Sequence, residues 1–423
     1  MFGSGRIVVI DDELEYLTQL TGTLHEMGVP CIPIRFTGGV PQEATWLSGC
    51  RIAFCDLHLI PGLPTGSKAN YAAIGSLLDR MATNEASSLL LVLWTRYPQD
   101  AAELEQYLAE RHRASRPAVI LQLDKNDFVG DLVKKLPDAV RAKLQAIPQL
   151  HALYEWQEEA STAAAACVGS LVGLARVMDG DLSGNLDKVL SALAQKATGM
   201  EIAATHPGAA LQEILSPLLA DRLSHLPEDE RHRDLWRAAM PTAVARTKCE
   251  DAVAGGIAAI NTALHIAYLH GETVTGRDRG AVIPVPCKSL FRHRFASDEA
   301  KVRDKFGIKP GTHVRWVGIQ LLASCDHAQR KSLSIPYVLG AEVASDTEEP
   351  PAKARPAAFW TSPVFLSEDH RAVRIFANVA LTTSVSWSRA ENRAALYRFR
   401  EPLVNSLGLF KSQYETRPGI ISL

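Results

Sequence analysis

The sequence has no long run of uncharged apolar residues. The nearest approach, residues 161–178, is rich in alanine and ends close to Arg176, whereas a membrane span needs about 20 predominantly apolar residues in a row. The N-terminus lacks a cationic stretch followed by an apolar one, so we expect no signal peptide. These absences predict a cytoplasmic protein that does not associate with membranes.

Cysteine is scarce, and charge is nearly balanced. The seven cysteines form no C-x-x-C pair, which argues against a disulfide framework and against a zinc ribbon. A formal net charge of -2 gives no indication of nucleic-acid binding, although a local basic patch is not excluded. The sequence contains no P-loop, dinucleotide-binding fingerprint, G-x-S-x-G or H-E-x-x-H motif.

The first third of the chain alternates short aliphatic segments with amphipathic helical segments. Such alternation implies right-handed crossovers and a doubly wound parallel sheet with helices on both faces. Ligands of these sheets bind beyond the carboxyl ends of the strands. The five predicted strands are Ile7–Ile10, Cys31–Phe36, Arg51–Cys55, Leu89–Trp94 and Ala118–Leu123.

The composition changes twice along the remaining chain. Residues 148–272 are rich in alanine and leucine and predict a helical midsection, whereas later runs of valine, isoleucine, threonine and aromatics predict β-structure. Two helices are expected near the end, at Ser386–Arg398 and Glu401–Glu415. We therefore predict an α/β domain at residues 1–147, a helical transmission domain at 148–272 and a β-rich, barrel-like effector domain at 273–423.

Polar side chains stand at the ends of four of the predicted strands. Asp11 and Asp12 end the first strand, Asp56 the third, Thr95 the fourth and Lys125 the fifth. Parallel strands bring these residues to one edge of the sheet. Carboxylates with water form a natural octahedral site for Mg²⁺, and such an ion would keep the three acids ionised despite their mutual repulsion.

Residues 5–144 resemble the receiver domain of two-component response regulators, in which these five positions occur in the same order. The resemblance implies a flavodoxin-like fold. It also implies that Asp56 accepts a phosphoryl group from a phosphohistidine of a sensor histidine kinase. By the same resemblance, Asp11 and Asp12 hold Mg²⁺ together with Asp56, Thr95 bonds the phosphoryl group, and Lys125 pairs with it.

Three positions depart from the pattern of that family. Arg96 stands where most receivers have a small residue, and it would either obstruct the pocket or contact the phosphoryl group. Gln122 replaces an aromatic residue, and Asn126 replaces a proline. His58 and Tyr97 fall at positions that tune the lifetime of the phosphoryl group in this family. The departures leave open a degenerate receiver that acts only as a protein-interaction module.

A second reactive cluster lies in the β-rich region, at Cys325, Asp326, His327 and Gln329. Its thiol, carboxylate and imidazole could bind a metal or assist hydrolysis. The alternative is a buried cysteine followed by a capped turn with an exposed histidine. The stretch resembles a Cys-Asp-x-x-Gln signature in uncharacterised bacterial proteins, some of them in defence loci, which implies no established activity.

A third group of ligand-type residues is more dispersed. His265 and His270 are not at the i, i+4 spacing of a helical zinc pair, and we favour a structural role for the group. The group comprises His265, His270, Cys287 and His293.

Taken together, these features predict a response-regulator-like signalling protein. We expect it to accept a phosphoryl group on Asp56 with Mg²⁺ and to pass the switch to a C-terminal effector, with a bacterial defence system as one setting. A receiver-regulated enzyme or nuclease is the alternative. The expected partner is a sensor histidine kinase, and a homodimer is left open.

Overall fold

The computed structural model describes residues 7–39, 47, 50–64, 66–82, 89–128, 135–227, 229–246, 256–267, 274–285, 291, 295, 297–330, 332–351 and 355–416. They fall into two compact units. The first unit contains the chain up to Tyr154 together with Asp234–Ala239, and the second contains Glu155–Arg233 and the chain from Met240 onwards. The division into three domains at residues 147 and 272 stays a prediction.

The first unit contains a five-stranded parallel sheet in the order β2-β1-β3-β4-β5. This order is that of flavodoxin-like folds, so the predicted fold class of this region is confirmed. The strands are β1 Ile7–Asp11, β2 Ile32–Arg35, β3 Ile52–Cys55, β4 Leu90–Thr95 and β5 Val119–Asp124. The helices are α1 Leu14–Glu26, α2 Lys68–Met81, α3 Ala101–Arg111 and α4 Leu136–Gln145.

Both faces of this sheet are covered, because successive strand residues point to opposite sides. Ile10 and Leu93 belong to the apolar layer that includes residues of α2 and α3. Val9 and Trp94 belong to the layer that includes residues of α1 and α4. A sheet buried in this way leaves its carboxyl edge as the place where strand-borne polar side chains can meet a ligand.

The middle of the chain is helical, as predicted. Asn185 joins two of its helices, since its amide donates hydrogen bonds to the carbonyl oxygens of Ala175 at 3.1 Å and Met178 at 2.9 Å. The helices are α5 Pro148–Arg176, α6 Leu182–Thr198, α7 Met200–Thr205, α8 Pro207–Ser224, α9 Glu230–Ala239, α10 Pro241–Val244 and α11 Ile257–His265.

The C-terminal region contains an antiparallel sheet of eight strands that curls into a half-barrel, which confirms the predicted β-rich, barrel-like architecture. The order is β10-β12-β9-β8-β7-β13-β6, with β11 paired to β12. The strands are β6 Ile266–Ala267, β7 Ala281–Pro284, β8 Arg315–Gln320, β9 Ser334–Ala344, β10 Phe359–Thr361, β11 Phe365–Leu366, β12 Ala372–Ser386 and β13 Tyr397–Phe399. The accompanying helices are α12 Glu299–Phe306, α13 Ser324–Gln329, α14 Trp387–Glu391 and α15 Glu401–Glu415.

The predicted helix Ser386–Arg398 is wrong over its second half. Helix α14 ends at Glu391, and β13 pairs with β7 and β6 instead. Tyr397 and Phe399 are buried against the sheet core, so pairing with distant strands overrides the local helical pattern. The predicted final helix Glu401–Glu415 is confirmed.

Within the described ranges, none of the helices combines the length and the apolar character that a bilayer crossing requires.

Candidate functional site

The five residues expected at the carboxyl edge of the parallel sheet occupy strand ends. Asp11 and Thr95 are the last residues of β1 and β4, whereas Asp56 and Lys125 directly follow β3 and β5. These four side chains are buried, and Asp12 is half-buried. The strand order places β1 next to β3, so the two acidic strand ends are neighbours.

Lys125 bridges two of the carboxylates. Its Nζ lies 2.7 Å from Asp56 Oδ2 and 2.8 Å from Asp11 Oδ2. Burial on its own would lower the pKa of Lys125, but the negative charges of Asp56 and Asp11 outweigh it and the pKa is raised. The ammonium is therefore held charged between its two partners.

One ammonium does not neutralise three carboxylates. Burial raises the pKa of Asp11 from 3.8 to about 6, even though Lys125 acts to lower it. Burial, followed by the nearby charge of Asp56, also raises the pKa of Asp12. Excess negative charge in a poorly solvated place favours protonation or the binding of a cation.

The three carboxylates fit a metal ion. One oxygen from each of Asp11, Asp12 and Asp56 can be chosen so that all lie within 4.8 Å of one another. Lys125 contacts Oδ2 of Asp11 and of Asp56, and the Oδ1 atom of each accepts a backbone N–H, so a cation would share these oxygens with donors already present. The donor set, entirely carboxylate oxygen, suits a hard divalent cation.

Asp56 and Lys125 face a cavity of about 480 Å³. The described lining of this cavity does not include Thr95, whose Oγ1 accepts a hydrogen bond from the Tyr97 backbone N–H at 3.2 Å. The structure thus places Thr95 at the predicted strand end, fully buried. Lining residues include Asp12, Glu13, Asp56, His58, Arg96 and Lys125.

His58 forms one side of the cavity together with Tyr97. Its backbone N–H donates to Asp56 Oδ1 at 3.3 Å, and its Nε2 lies 3.3 Å from Asp100 Oδ2. The ring stacks on Tyr97 with the centroids 4.6 Å apart. The backbone hydrogen bond orients the Asp56 carboxylate, and the stacked pair forms part of the cavity wall.

Sequence reasoning missed Tyr16, an aromatic side chain of α1 that contacts both cations of the cavity. Its ring centroid lies 4.5 Å from Lys125 Nζ and 4.8 Å from the guanidinium carbon of Arg96. Arg96 Nη2 donates to the Tyr16 hydroxyl and lies 3.6 Å from Glu13 Oε2. The only signal in the sequence is the position of Tyr16, in the first turn of the helix that follows the acid pair.

The other two departures from the receiver pattern lie on and next to β5. Gln122 is exposed, so it does not supply the ring packing of the usual aromatic residue. Asn126 donates from Nδ2 to Asp124 Oδ1 at 2.8 Å and to the carbonyl oxygen of Arg96 at 3.4 Å. Asn126 therefore links the segment after β5 to the segment after β4.

The second predicted cluster lies on helix α13, and its members have different surroundings. Cys325 and Asp326 are exposed, so the burial that the alternative interpretation expects for Cys325 is not observed. Gln329 Nε2 donates to the carbonyl oxygen of Ala197 in α6 at 3.4 Å. His327, which is half-buried, lines a cavity together with residues of other elements.

That cavity has a volume of about 660 Å³. Burial lowers the pKa of His327, although Asp278 and a hydrogen bond to the backbone of Arg277 act to raise it. The imidazole is therefore biased toward its neutral form. Charged and polar lining residues include Asp278, Arg279, Ser324, His327, Arg398 and Glu401.

The third group of ligand-type residues lies mostly outside the described residues. This applies to His270, Cys287 and His293. His265 is described and is half-buried at the end of α11.

No protein-family model matches the chain, and no curated protein is significantly similar to it in sequence.

Proposed function

We propose that the first unit is an atypical receiver domain and that Asp56 is its phospho-acceptor. The observation that carries the proposal is the position of Lys125, at 2.7 Å from Asp56 and 2.8 Å from Asp11. An ion pair with a purely structural role needs one carboxylate, whereas this ammonium pairs with two carboxylates of a cluster of three. The excess charge and the adjoining cavity of about 480 Å³ suit a cation and a phosphoryl group.

The proposed reaction transfers a phosphoryl group from a phosphohistidine of a sensor kinase. A carboxylate oxygen of Asp56 forms a bond to phosphorus while the bond from phosphorus to the donor imidazole nitrogen breaks. The electron pair of that bond stays on the nitrogen, which takes up a proton from water. Such transfers depend mainly on positioning and on neutralisation of oxygen charge, and Lys125 supplies part of that neutralisation.

Mg²⁺ is the proposed cation, because hard carboxylate oxygens and water are its preferred ligands. Asp11, Asp12 and Asp56 would hold it. When bound, it neutralises charge on the oxygens of the phosphoryl group. The raised pKa values of Asp11 and Asp12 support this assignment, since they indicate carboxylates that lack sufficient positive charge.

Phosphorylation would change the partners of Lys125. The carboxylate of Asp56 that it contacts becomes an acyl phosphate with its charge displaced toward the cavity. We propose that the first unit has two states separated by this exchange. The helical midsection would pass the difference to the β-rich region, which would act as the effector in a cytoplasmic signalling pathway.

The test is titration of the full-length protein with beryllofluoride, a phosphoryl mimic, in the presence of Mg²⁺. Calorimetry is expected to show saturable binding by the wild-type protein and none by Asp56→Ala. The matched control is Asp138→Ala on α4, which removes a carboxylate that is 83% exposed and is expected to bind normally. Binding that persists in Asp56→Ala, or no binding by the wild-type protein, would refute the assignment.

If the wild-type protein does not bind beryllofluoride, that result would favour a degenerate receiver that serves as a docking module. In that case the partner should bind Asp56→Asn as well as it binds the wild-type protein. The association with a bacterial defence system stays a prediction.

A second candidate function is an enzyme in the second unit that the first unit regulates. The observation that favours it is His327, biased toward the neutral form at the wall of a cavity of about 660 Å³. Asp278 is fixed nearby, because its Oδ2 accepts hydrogen bonds from Thr275 N at 2.8 Å and from Thr275 Oγ1 at 3.1 Å. A neutral imidazole oriented by its neighbours is suited to act as a general base.

For a phosphodiester substrate, His327 would take a proton from water while the water oxygen bonds to phosphorus. The bond to the leaving alcohol breaks, and the alcohol oxygen takes up a proton. Hydrolysis of bis(4-nitrophenyl) phosphate by the wild-type protein, by His327→Ala and by the exposed control His313→Ala tests this. Equal rates in all three would refute the candidate site, whereas loss in His327→Ala alone supports it.

A further inference from the structure

Two cationic side chains that line the acidic cavity contact the same aromatic ring. Lys125 Nζ and the guanidinium carbon of Arg96 lie 4.5 Å and 4.8 Å from the ring centroid of Tyr16. Both cations line the cavity that Asp56 faces. The cavity therefore has a second positive charge that the family pattern does not include.

The two cations are held very differently. The side chain of Lys125 is 2% exposed and bonded to two buried carboxylates. The side chain of Arg96 is 42% exposed, and its acidic partner Glu13 is 48% exposed at 3.6 Å. Ion pairs between exposed groups contribute little to stability and are screened by salt. Arg96 can therefore exchange Glu13 for another anion at small cost, whereas Lys125 cannot leave its partners so readily.

A phosphoryl group on Asp56 needs more donors than Lys125 provides. The ammonium already contacts Asp56 and Asp11, whereas the phosphoryl group adds three acceptor oxygens. A guanidinium offers a planar fork of donors that matches phosphate oxygens. Arg96 carries such a fork at the wall of the same cavity.

We infer that Arg96 binds the phosphoryl group on Asp56 by exchanging Glu13 for it, and that Tyr16 is the positioning residue that keeps Arg96 at the cavity. This inference rests on the proposed phospho-acceptor function. It excludes the alternative that Arg96 obstructs the pocket, since an obstructing side chain would weaken the binding of the anion.

The test compares beryllofluoride affinity in the presence of Mg²⁺ between the full-length wild-type protein and two variants of Arg96. Arg96→Gln is expected to bind about tenfold more weakly, the lower end for loss of a charged hydrogen bond. Arg96→Lys keeps the charge but not the fork and should lie in between. Arg116→Gln is the matched control, because Arg116 is 47% exposed and pairs with Glu105 at 3.0 Å.

Tyr16 is tested in two backgrounds. Tyr16→Phe keeps the ring beside Lys125 and removes the hydroxyl that accepts from Arg96, so affinity should fall about fivefold. In the Arg96→Gln background the same change should have no effect, which a merely structural role of Tyr16 would not produce. Added salt should weaken binding by the wild-type protein more than binding by Arg96→Gln.

The outcomes separate this inference from the function on which it rests. If the wild-type protein does not bind beryllofluoride through Asp56, the phospho-acceptor function fails. If it does bind, and Arg96→Gln binds equally well or more tightly, the function stands and the role of Arg96 is overturned. An additive loss in the double variant would overturn the role of Tyr16.

Discussion

Replacement of Asp11 by asparagine should change how the stability of the first unit depends on pH. The carboxylate is fully buried, and burial raises its pKa from 3.8 to about 6. Each unit of pKa difference between folded and unfolded protein corresponds to about 1.36 kcal/mol, so ionised Asp11 costs the fold about 3 kcal/mol. Asparagine has a similar shape and no charge, and the variant lacks this cost.

The sign follows from proton linkage. A carboxyl group with a raised pKa in the folded state stabilises the fold below pH 3.8, and that contribution is lost as the pH rises through about 6. Between pH 4 and pH 7, Asp11→Asn should therefore gain about 2 kcal/mol of unfolding free energy relative to the wild-type protein. Lys125 remains charged throughout this range because its pKa is raised. The loss of one of its partners in the variant therefore changes the unfolding free energy by the same amount at each pH in the range.

Hydrogen exchange measured by mass spectrometry on peptides from β1 and β3 reports opening of this unit in the full-length protein. The measurement is made with a chelator present so that no cation neutralises the acids. Glu26→Gln, at an exposed position at the end of α1, is the control, and its opening free energy should depend on pH as that of the wild-type protein does. If the opening free energies of Asp11→Asn and the wild-type protein also depend on pH in the same way, the view that this carboxylate is buried with too little positive charge is refuted.

Four further substitutions have outcomes that the same exchange measurement can check. Lys125→Met leaves two buried carboxylates without their ammonium and should destabilise the first unit by about 3–5 kcal/mol at pH 7; an unchanged stability would contradict the bridge. Gly75→Ala places a methyl group against the ring of His112 and should cost about 1–3 kcal/mol. By contrast Gly22→Ala, with no atom within 4 Å of the new methyl group, should stabilise α1 by about 1 kcal/mol. Tyr397→Phe removes a hydrogen bond to a buried carboxylate of β9 and should cost about 2 kcal/mol, seen in peptides of that strand; equal protection would show that the bond contributes little.

The acidic edge of the first unit could be predicted from sequence because parallel strands fix where their ends meet. Asp11 and Thr95 end strands that are fully apolar before them, so each side chain had to emerge at the same rim. The strand order, which makes β1 and β3 neighbours, is not dictated by the alternation of strands and helices; it is the order that the resemblance to a flavodoxin-like receiver implies. The bridge from Lys125 to both acids is a consequence of that order.

Contacts made by helices and short strands could not be predicted in the same way. Tyr16 reaches Lys125 and Arg96 only because α1 packs on the sheet at a particular rotation, which depends on side chains far along the chain. The strand Tyr397–Phe399 has three residues and is formed only through pairing with β7 and β6. In both cases the deciding interactions are between elements that are distant in sequence, and no local pattern contains them.

Arg96 shows why a departure from a family pattern needs a structure to interpret. From its position in the sequence alone, directly after Thr95, the large cationic side chain of Arg96 suggests a blocked pocket. Its actual partners are Tyr16 and Glu13, which hold it at the wall of the cavity and leave the guanidinium 42% exposed. Arg96 lines a cavity of about 480 Å³ beside Asp56, and the Asp56 carboxylate is paired with Lys125 at 2.7 Å instead of with Arg96. Under the proposed function, the buried ammonium of Lys125 already pairs with the Asp56 carboxylate, so the exposed guanidinium of Arg96 could contact a phosphoryl group there without first leaving that carboxylate.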